Sequence, residues 1–282
     1  MFPTILEIGP ITLYSYGLMI ALGFITVLYF MRRDARSAGI DPDAIADTAF
    51  WTLILGVIAT RVAHIILYSD NYSWTDPIGW IDVTRGGLVF QGAIPVGIAY
   101  AYWNLTRRGV NFWQAADVVM PWVPVAQAFG RGGCFLKGCC HGARSDDLPW
   151  GVSFPEGSPA YLAHQAQYAA FPDDALWSYP VHPTQIYSIL LLLAMCGALM
   201  LLRRRRPFFG VALPGYLVLY GICRFIVEMY RGDGNPVQSY LGVQLTSQQA
   251  FCVLMIVIGA ALAAWLYRRR GTGSVPPFPQ AG

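Results

Sequence analysis

Residues 183–206 read P-T-Q-I-Y-S-I-L-L-L-L-A-M-C-G-A-L-M-L-L-R-R-R-R. An uncharged run through residue 202 stops abruptly at four arginines, Arg203 to Arg206. A helix of about 20 apolar residues crosses the hydrocarbon of a bilayer, and a cluster of arginines at its end belongs in the polar layer beyond. The pattern recurs. Apolar windows lie near residues 12–30, 48–68, 88–106, 113–131, 183–202, 211–230 and 248–267. Only 12% of the 282 residues are charged and 55% are hydrophobic. Soluble domains carry about 25% charged residues, so the composition alone points to an integral membrane protein.

The arginines set the topology. Arg32, Arg33 and Arg36 follow the first window, Arg107 and Arg108 the third, Arg203 to Arg206 the fifth, and Arg268 to Arg270 the seventh. With about seven transmembrane helices, all four clusters fall on one face. The positive-inside rule makes that face cytoplasmic, with the N-terminus outside and the C-terminus inside. The expected fold is an all-α membrane protein, a single polytopic domain over residues 1–270 with a small outer (periplasmic) subdomain near 132–182. The Gly/Pro-rich tail 271–282 reads as disordered. The first window has no basic residue before it and no small-x-small cleavage site after it, so it reads as a retained helix, not a signal peptide. The net charge of +3 conceals this asymmetry, and no basic-aromatic pattern points to nucleic acid.

Arg61, Arg131 and Arg224 fall within or at the end of apolar windows. An arginine at mid-membrane costs about 2.5–3.5 kcal/mol on insertion scales, so such residues face the protein interior and mark function. Counted from the outer ends of their windows, Arg61 and Arg224 lie roughly 10 Å deep at 1.5 Å per residue, and Arg131 closes the fourth window. All three occupy the outer half of the membrane. Tyr16, Gln91 and His182 stand at a similar level. Tyr220, Arg224 and Glu228, spaced four apart, share one helix face. Each arginine could simply fasten helices through a carboxylate or carbonyl. Three with one nearby acid favour an anionic ligand instead, since the planar guanidinium fork suits phosphate oxygens. At that depth the ligand is a lipid phosphate.

The segment F-G-R-G-G-C-F-L-K-G-C-C-H-G (Phe129 to Gly142) gathers Arg131, Lys137, His141, three cysteines and five glycines. Its Cys134-x4-Cys139-Cys140 spacing does not match the usual zinc pairs, and adjacent cysteines do not easily turn both sulfurs to one metal, so no metal is expected. A disulfide from Cys134 to Cys139 or Cys140 and three small packed thiols both remain open. The glycines either let the backbone turn and approach a phosphate beside Arg131 or let helices pack closely.

Several stretches in fixed order resemble the prolipoprotein diacylglyceryl transferase family of bacterial inner membranes. They are I-G-P-I-T-L-Y-S-Y-G-L-M-I-A-L-G-F (Ile8 to Phe24), T-R-V-A-H-I-I-L-Y (Thr60 to Tyr68), R-G-G-L-V-F-Q-G-A-I-P-V-G (Arg85 to Gly97), the Phe129–Gly142 segment, P-W-G-V-S-F-P (Pro149 to Pro155), H-P-T-Q-I-Y (His182 to Tyr187) and L-Y-G-I-C-R-F-I-V-E-M-Y-R (Leu219 to Arg231). The resemblance covers nearly the whole chain. It implies transfer of the diacylglyceryl group of phosphatidylglycerol to the lipobox cysteine that follows a prolipoprotein signal sequence, with release of glycerol phosphate, in a multi-pass inner-membrane protein and without a cofactor. It maps the phosphatidylglycerol-binding arginine to Arg131 and a second essential arginine to Arg224. It also maps two tyrosines to Tyr16 and Tyr220, the turn glycine to Gly142, the span-two arginine to Arg61 and an acid to Glu228.

The departures are local. The family's H-G-G is Gln91-Gly92-Ala93 here, and a glutamine accepts no proton at neutral pH. Cys134 stands for an asparagine, Cys139 for an acid and Ser188 for a glutamate. His141 or His182 is left as a base, or the arginines alone raise the thiolate fraction of the acceptor. Two further readings stay open: a lipid-binding homologue without catalysis, and a membrane thiol oxidoreductase using Cys134, Cys139 and Cys140.

Overall fold

The computed structural model describes residues 4–8, 11–69, 72, 80, 89, 92–172, 174–205, 210–232, 237–240 and 243–269. Arg85, Gln91, Arg206, Arg270 and the tail 271–282 lie outside the described residues. In chain order the elements are β1 (Thr4–Ile8), β2 (Ile11–Tyr14), α1 (Ser15–Ser37), α2 (Pro42–Leu67), α3 (Ala93–Arg107), α4 (Phe112–Val119), α5 (Val123–Lys137), α6 (Pro159–Gln167), α7 (Thr184–Arg205), α8 (Ala212–Glu228), β3 (Val237–Tyr240), β4 (Val243–Thr246) and α9 (Ser247–Arg269).

Four helices, α1, α2, α7 and α9, are long and apolar enough to cross a membrane, and they bury only 17–33% of their apolar windows. Ile25, Ile66, Leu190 and Val257 are each more than half exposed, at 64%, 70%, 62% and 58%. A soluble surface does not carry continuous apolar area of this kind, and hydrocarbon does not penalise it. The protein is therefore predominantly helical and membrane-embedded. The remaining apolar windows hold shorter helices: α3 and α5 have 15 residues each and α8 has 17.

Two expectations change. The chain is not purely helical, because β1–β2 and β3–β4 form antiparallel two-stranded sheets. The stretch I-T-L-Y, rich in strand formers and set just after Gly9-Pro10, pairs with Thr4–Ile8, so the first helix begins at Ser15 and not near residue 12. The fourth window is also not one helix. It breaks into α4 and α5 around Pro121, which cannot donate a backbone hydrogen bond, and α5 then runs on to Lys137. Arg131 consequently sits inside α5 and not at the end of a span.

The chain forms two compact units, one built on residues up to Tyr29 together with Val119 onward, the other on Phe30–Val118. In the second unit α2 packs along α3. Asp41 caps α2 by accepting from the Asp43 amide at 2.9 Å, ahead of Pro42 at the first helical position. At that end Arg32 pairs with Asp43 at 2.6 Å, Arg108 pairs with Asp47 at 2.5 Å, and Asn104 donates to Thr48 at 2.8 Å. The arginine-bearing ends of α1 and α3 therefore meet the start of α2.

In the first unit α5 packs on α7, α7 on α8, and α8 on α9. Ala128, Leu192, Met195 and Leu199 form the core between α5 and α7, with Tyr216, Leu219 and Tyr220 of α8 against it. Residues 138–182 fold around a smaller core of Phe154, Ala160 and Val181, all fully buried, with Phe135 and Val152 packed against it. Bridges Arg144↔Val181, Val152↔Val181 and Pro155↔Trp177 stitch this segment, and Ser158 caps α6 by accepting from the Tyr161 amide at 3.2 Å.

Candidate functional site

The site grows from α5. Gly133 needs to be glycine because a Cβ there would lie 2.8 Å from the Tyr16 ring and 3.2 Å from its Cα. Gly132 similarly faces Met19, at 2.8 Å. Gly132 and Gly133 thus do not turn the chain. They are helical and let α5 lie against the start of α1, so helix packing is their role. The consequence is positional: Tyr16, exposed on α1, stands beside the turn of α5 that carries Arg131. Arg131 is half-buried and makes no hydrogen bond or ion pair among the described residues.

On α8 the expected face is present. Arg224 Nη2 lies 2.8 Å from Glu228 Oε2, with the glutamate side chain 1% exposed and the arginine side chain 13%. The other terminal nitrogen, Arg224 Nη1, is buried with no hydrogen-bond partner. Tyr220, one turn earlier, stacks on Tyr216 at 5.6 Å and 13° between planes, and Tyr216 accepts from Gln127 at 2.8 Å. The charges of Arg131 and Arg231 both act on Arg224 at close range. Arg224 thus pairs with Glu228 and also feels the charges of Arg131 and of Arg231, which sequence reasoning did not single out.

The turn after α5 is tightly determined. Gly138, at φ 74°, ends the helix, and the Cys139 amide reaches back to the Cys134 carbonyl at 3.1 Å. Cys140 then takes φ 59°, a left-handed backbone unusual outside glycine. Gln185 donates to the Cys139 carbonyl at 2.7 Å and Thr184 to the Cys140 carbonyl at 2.8 Å, both from fully buried side chains at the start of α7. Arg231 Nη1 adds a third contact, 3.2 Å from the Cys140 carbonyl. Adjacent cysteines do not easily turn both sulfurs one way, yet here they come close together. The left-handed turn folds the pair back, and the Cys134, Cys139 and Cys140 sulfurs all lie within 4.8 Å of one another. All three are free thiols. Hydrogen bonds from the Cys134 and Cys139 thiols, and then the charges of Arg231 and Arg131, hold the Cys140 thiol well below the usual thiol range.

Gly142 has no room for a side chain. A Cβ would lie 2.5 Å from His182 Cβ and 2.6 Å from the His182 and Tyr230 carbonyls. Its amide donates to the His182 carbonyl at 2.9 Å, and Ala143 donates to Tyr230 at 2.9 Å. The residue therefore joins three chain segments at the edge of the site. His141 is buried, with Nδ1 3.0 Å from the Gly142 carbonyl and its ring 5.6 Å from that of His164. His182 Nδ1 is 3.3 Å from the Tyr187 hydroxyl, and its ring lies 5.3 Å from that of Tyr230. Trp150 donates to the same Tyr187 hydroxyl at 2.7 Å. Both histidines are built into the fold around the turn.

Arg61 belongs to the other unit, where its contacts are local. It is buried, Nε donates to the Trp80 carbonyl at 3.0 Å, and the guanidinium lies 5.3 Å from the centre of the Tyr72 ring. That is the fastening role weighed for each arginine. Sequence reasoning did not single out Arg231, Thr184, Gln185 or His164. Thr184 and Gln185 stood inside the quoted H-P-T-Q-I-Y stretch, whereas nothing in the spacing of Arg231 sets it apart.

A model of the family described as prolipoprotein diacylglyceryl transferase matches residues 3–265. A phosphatidylglycerol–prolipoprotein diacylglyceryl transferase of Azotobacter vinelandii is 32% identical over 274 residues, covering 95% of this chain and 95% of its own length. Proteins of the same description from Ralstonia pickettii and Vibrio parahaemolyticus are 30% and 29% identical, covering 96% and 95% of this chain and 95% and 91% of theirs.

Proposed function

The chain belongs to the prolipoprotein diacylglyceryl transferase family, and from that membership we propose how its own residues carry the reaction. It moves the diacylglyceryl group of phosphatidylglycerol to the lipobox cysteine of a prolipoprotein, as a multi-pass protein of the bacterial inner membrane. The acceptor sulfur attacks the glyceryl carbon that carries the phosphate ester. An S–C bond forms, the C–O bond breaks, and glycerol phosphate leaves with the electron pair. The thiol proton is lost to a base or to water.

The observation that supports an anion site most directly is Arg224, paired with Glu228, felt by the charges of Arg131 and Arg231, and with its Nη1 buried and without a hydrogen-bond partner. A buried donor without an acceptor is costly, and a phosphate oxygen relieves that cost. Arg131 and Arg224 bind the phosphate of phosphatidylglycerol and stabilise the charge that grows on the leaving group. Tyr16 and Tyr220 orient it, and Glu228 holds Arg224 in place. Gly142 shapes the turn. Cys140 lies among positive charges that would equally favour ionisation of an arriving thiol, and His141 and His182 remain the candidate bases.

The four long helices together with α3, α5 and α8 make seven spans. By the positive-inside rule, the arginines in the last turns of α1, α3, α7 and α9 support a cytoplasmic side for those ends, with the segment from the end of α5 to residue 182 on the outer side. Residues 1–270 then form one polytopic domain.

The test is transfer of labelled phosphatidylglycerol to a lipobox peptide in proteoliposomes. Arg131→Ala and Arg224→Ala should each lower the rate about 10²–10³-fold, the usual loss for a donor to developing charge. Undiminished transfer in the double variant would sink the arginine clamp. Binding of phosphatidylglycerol without release of glycerol phosphate by the wild type would instead identify a non-catalytic lipid-binding protein, the reading that Gln91 favours.

A further inference from the structure

We propose that Cys134, Cys139 and Cys140 form a three-thiolate site for a zinc ion, with its fourth coordination position open. The geometry comes first. Zinc–sulfur bonds of about 2.3 Å put the sulfurs of a tetrahedral or trigonal site roughly 3.8–4.0 Å apart. Three thiols already within 4.8 Å of one another reach that spacing by small side-chain rotations. The backbone beneath them does not need to move. Helix α5 and its Gly138 cap set Cys134 against Cys139, and the buried Gln185 and Thr184 side chains pin the carbonyls of Cys139 and Cys140. A left-handed non-glycine residue such as Cys140, at φ 59°, costs energy and persists where surrounding contacts impose it. Such residues gather at functional sites.

The chemistry fits as well. Thiolates are soft ligands that select zinc over hard cations. A disulfide would consume two of the thiols and strand the third, whereas an ion uses all three. Among the described residues no fourth histidine, cysteine or carboxylate joins the group. Structural zinc sites are closed by four protein ligands, and reactive ones keep three and leave a position for water or substrate.

The role of that position rests on the transferase reading. A zinc ion with three thiolates and a vacancy takes a fourth thiol, whose proton departs to water while the sulfur keeps its electron pair. The acceptor cysteine would thereby be held as a thiolate, without a change in zinc oxidation state and without the base that Gln91 cannot supply.

The experiment uses the full chain in nanodiscs, purified under reducing conditions. Zinc content after desalting should be one ion per chain. Replacing zinc by cobalt(II) should give thiolate-to-cobalt charge-transfer absorption, and both signals should be lost in Cys140→Ser. If that variant misfolds, the wild type decides alone: the three thiols should resist a maleimide with zinc bound and react after chelation. A wild type that retains no zinc, zinc retained undiminished by a folded Cys134/Cys139/Cys140→Ser triple variant, or two thiols that react only after reduction would each overturn the site. Adding a lipobox peptide should strengthen the cobalt band as a fourth thiolate joins, and a serine-for-cysteine peptide should not. An unchanged band would overturn the acceptor role. Failure of lipid transfer with the metal signals intact would count against the transferase reading and not against the site.

Discussion

At the scale of single residues, space and charge decide. Gly142 meets two backbone carbonyls and the Cβ of His182, none of which can swing away. Gly142→Ala should therefore cost about 1–3 kcal/mol, the range for overpacking, visible as a lower melting temperature in detergent with activity falling in parallel. Glu228 is a different case. Its carboxylate pairs with Arg224 at 2.8 Å, and both side chains are largely withdrawn from solvent. Removing one member of such a pair leaves the other buried and uncompensated, at about 3–5 kcal/mol. Glu228→Ala should lose stability on that scale, whereas Arg224→Met with Glu228→Met should recover much of it while abolishing transfer. A double-mutant cycle on chemical denaturation separates these outcomes.

At the scale of elements, the segment between α5 and α7 carries its own pH sensitivity. His164 on α6 is buried and accepts the Tyr179 amide through Nδ1 at 3.1 Å, so its neutral form is the one that fits. Burial first, then the charges of His141 and Arg144, push its pKa below the ordinary 6.5, with Asp146 opposing weakly. For a histidine whose folded pKa is lowered, the unfolded chain takes up the proton first as pH falls. The stability contribution is then complete above about pH 6.5 and is lost as pH drops through the folded value. Hydrogen exchange over residues 138–182 should accelerate on acidification, and His164→Gln, which keeps an acceptor but does not titrate, should flatten the response. An unchanged acid slope in that variant would refute the role of His164.

At the scale of the whole molecule, the proposed orientation rests on charge. Alkaline phosphatase fused after Glu156 should be active and fused after Arg269 inactive, because the enzyme folds only outside the cytoplasm. Activity at the second position would reverse the topology drawn from the arginine clusters. The membrane character, the apolar windows and the arginine-terminated ends were legible in the sequence because each is a local sum: hydropathy over about 20 residues and charge beside it. The face shared by Tyr220, Arg224 and Glu228 was legible because helical period alone creates it. Other features were not legible. The break of the fourth window and the strand before α1 arise where proline, glycine and strand formers interrupt an apolar run, which a hydropathy window averages away. Only the tertiary structure decided that Gly132 and Gly133 serve packing against Met19 and Tyr16 and that the charges of Arg131 and Arg231 both act on Arg224. It alone decided that three cysteines with an unpromising spacing meet at their sulfurs, because the start of α7 holds a left-handed turn that no local propensity would choose.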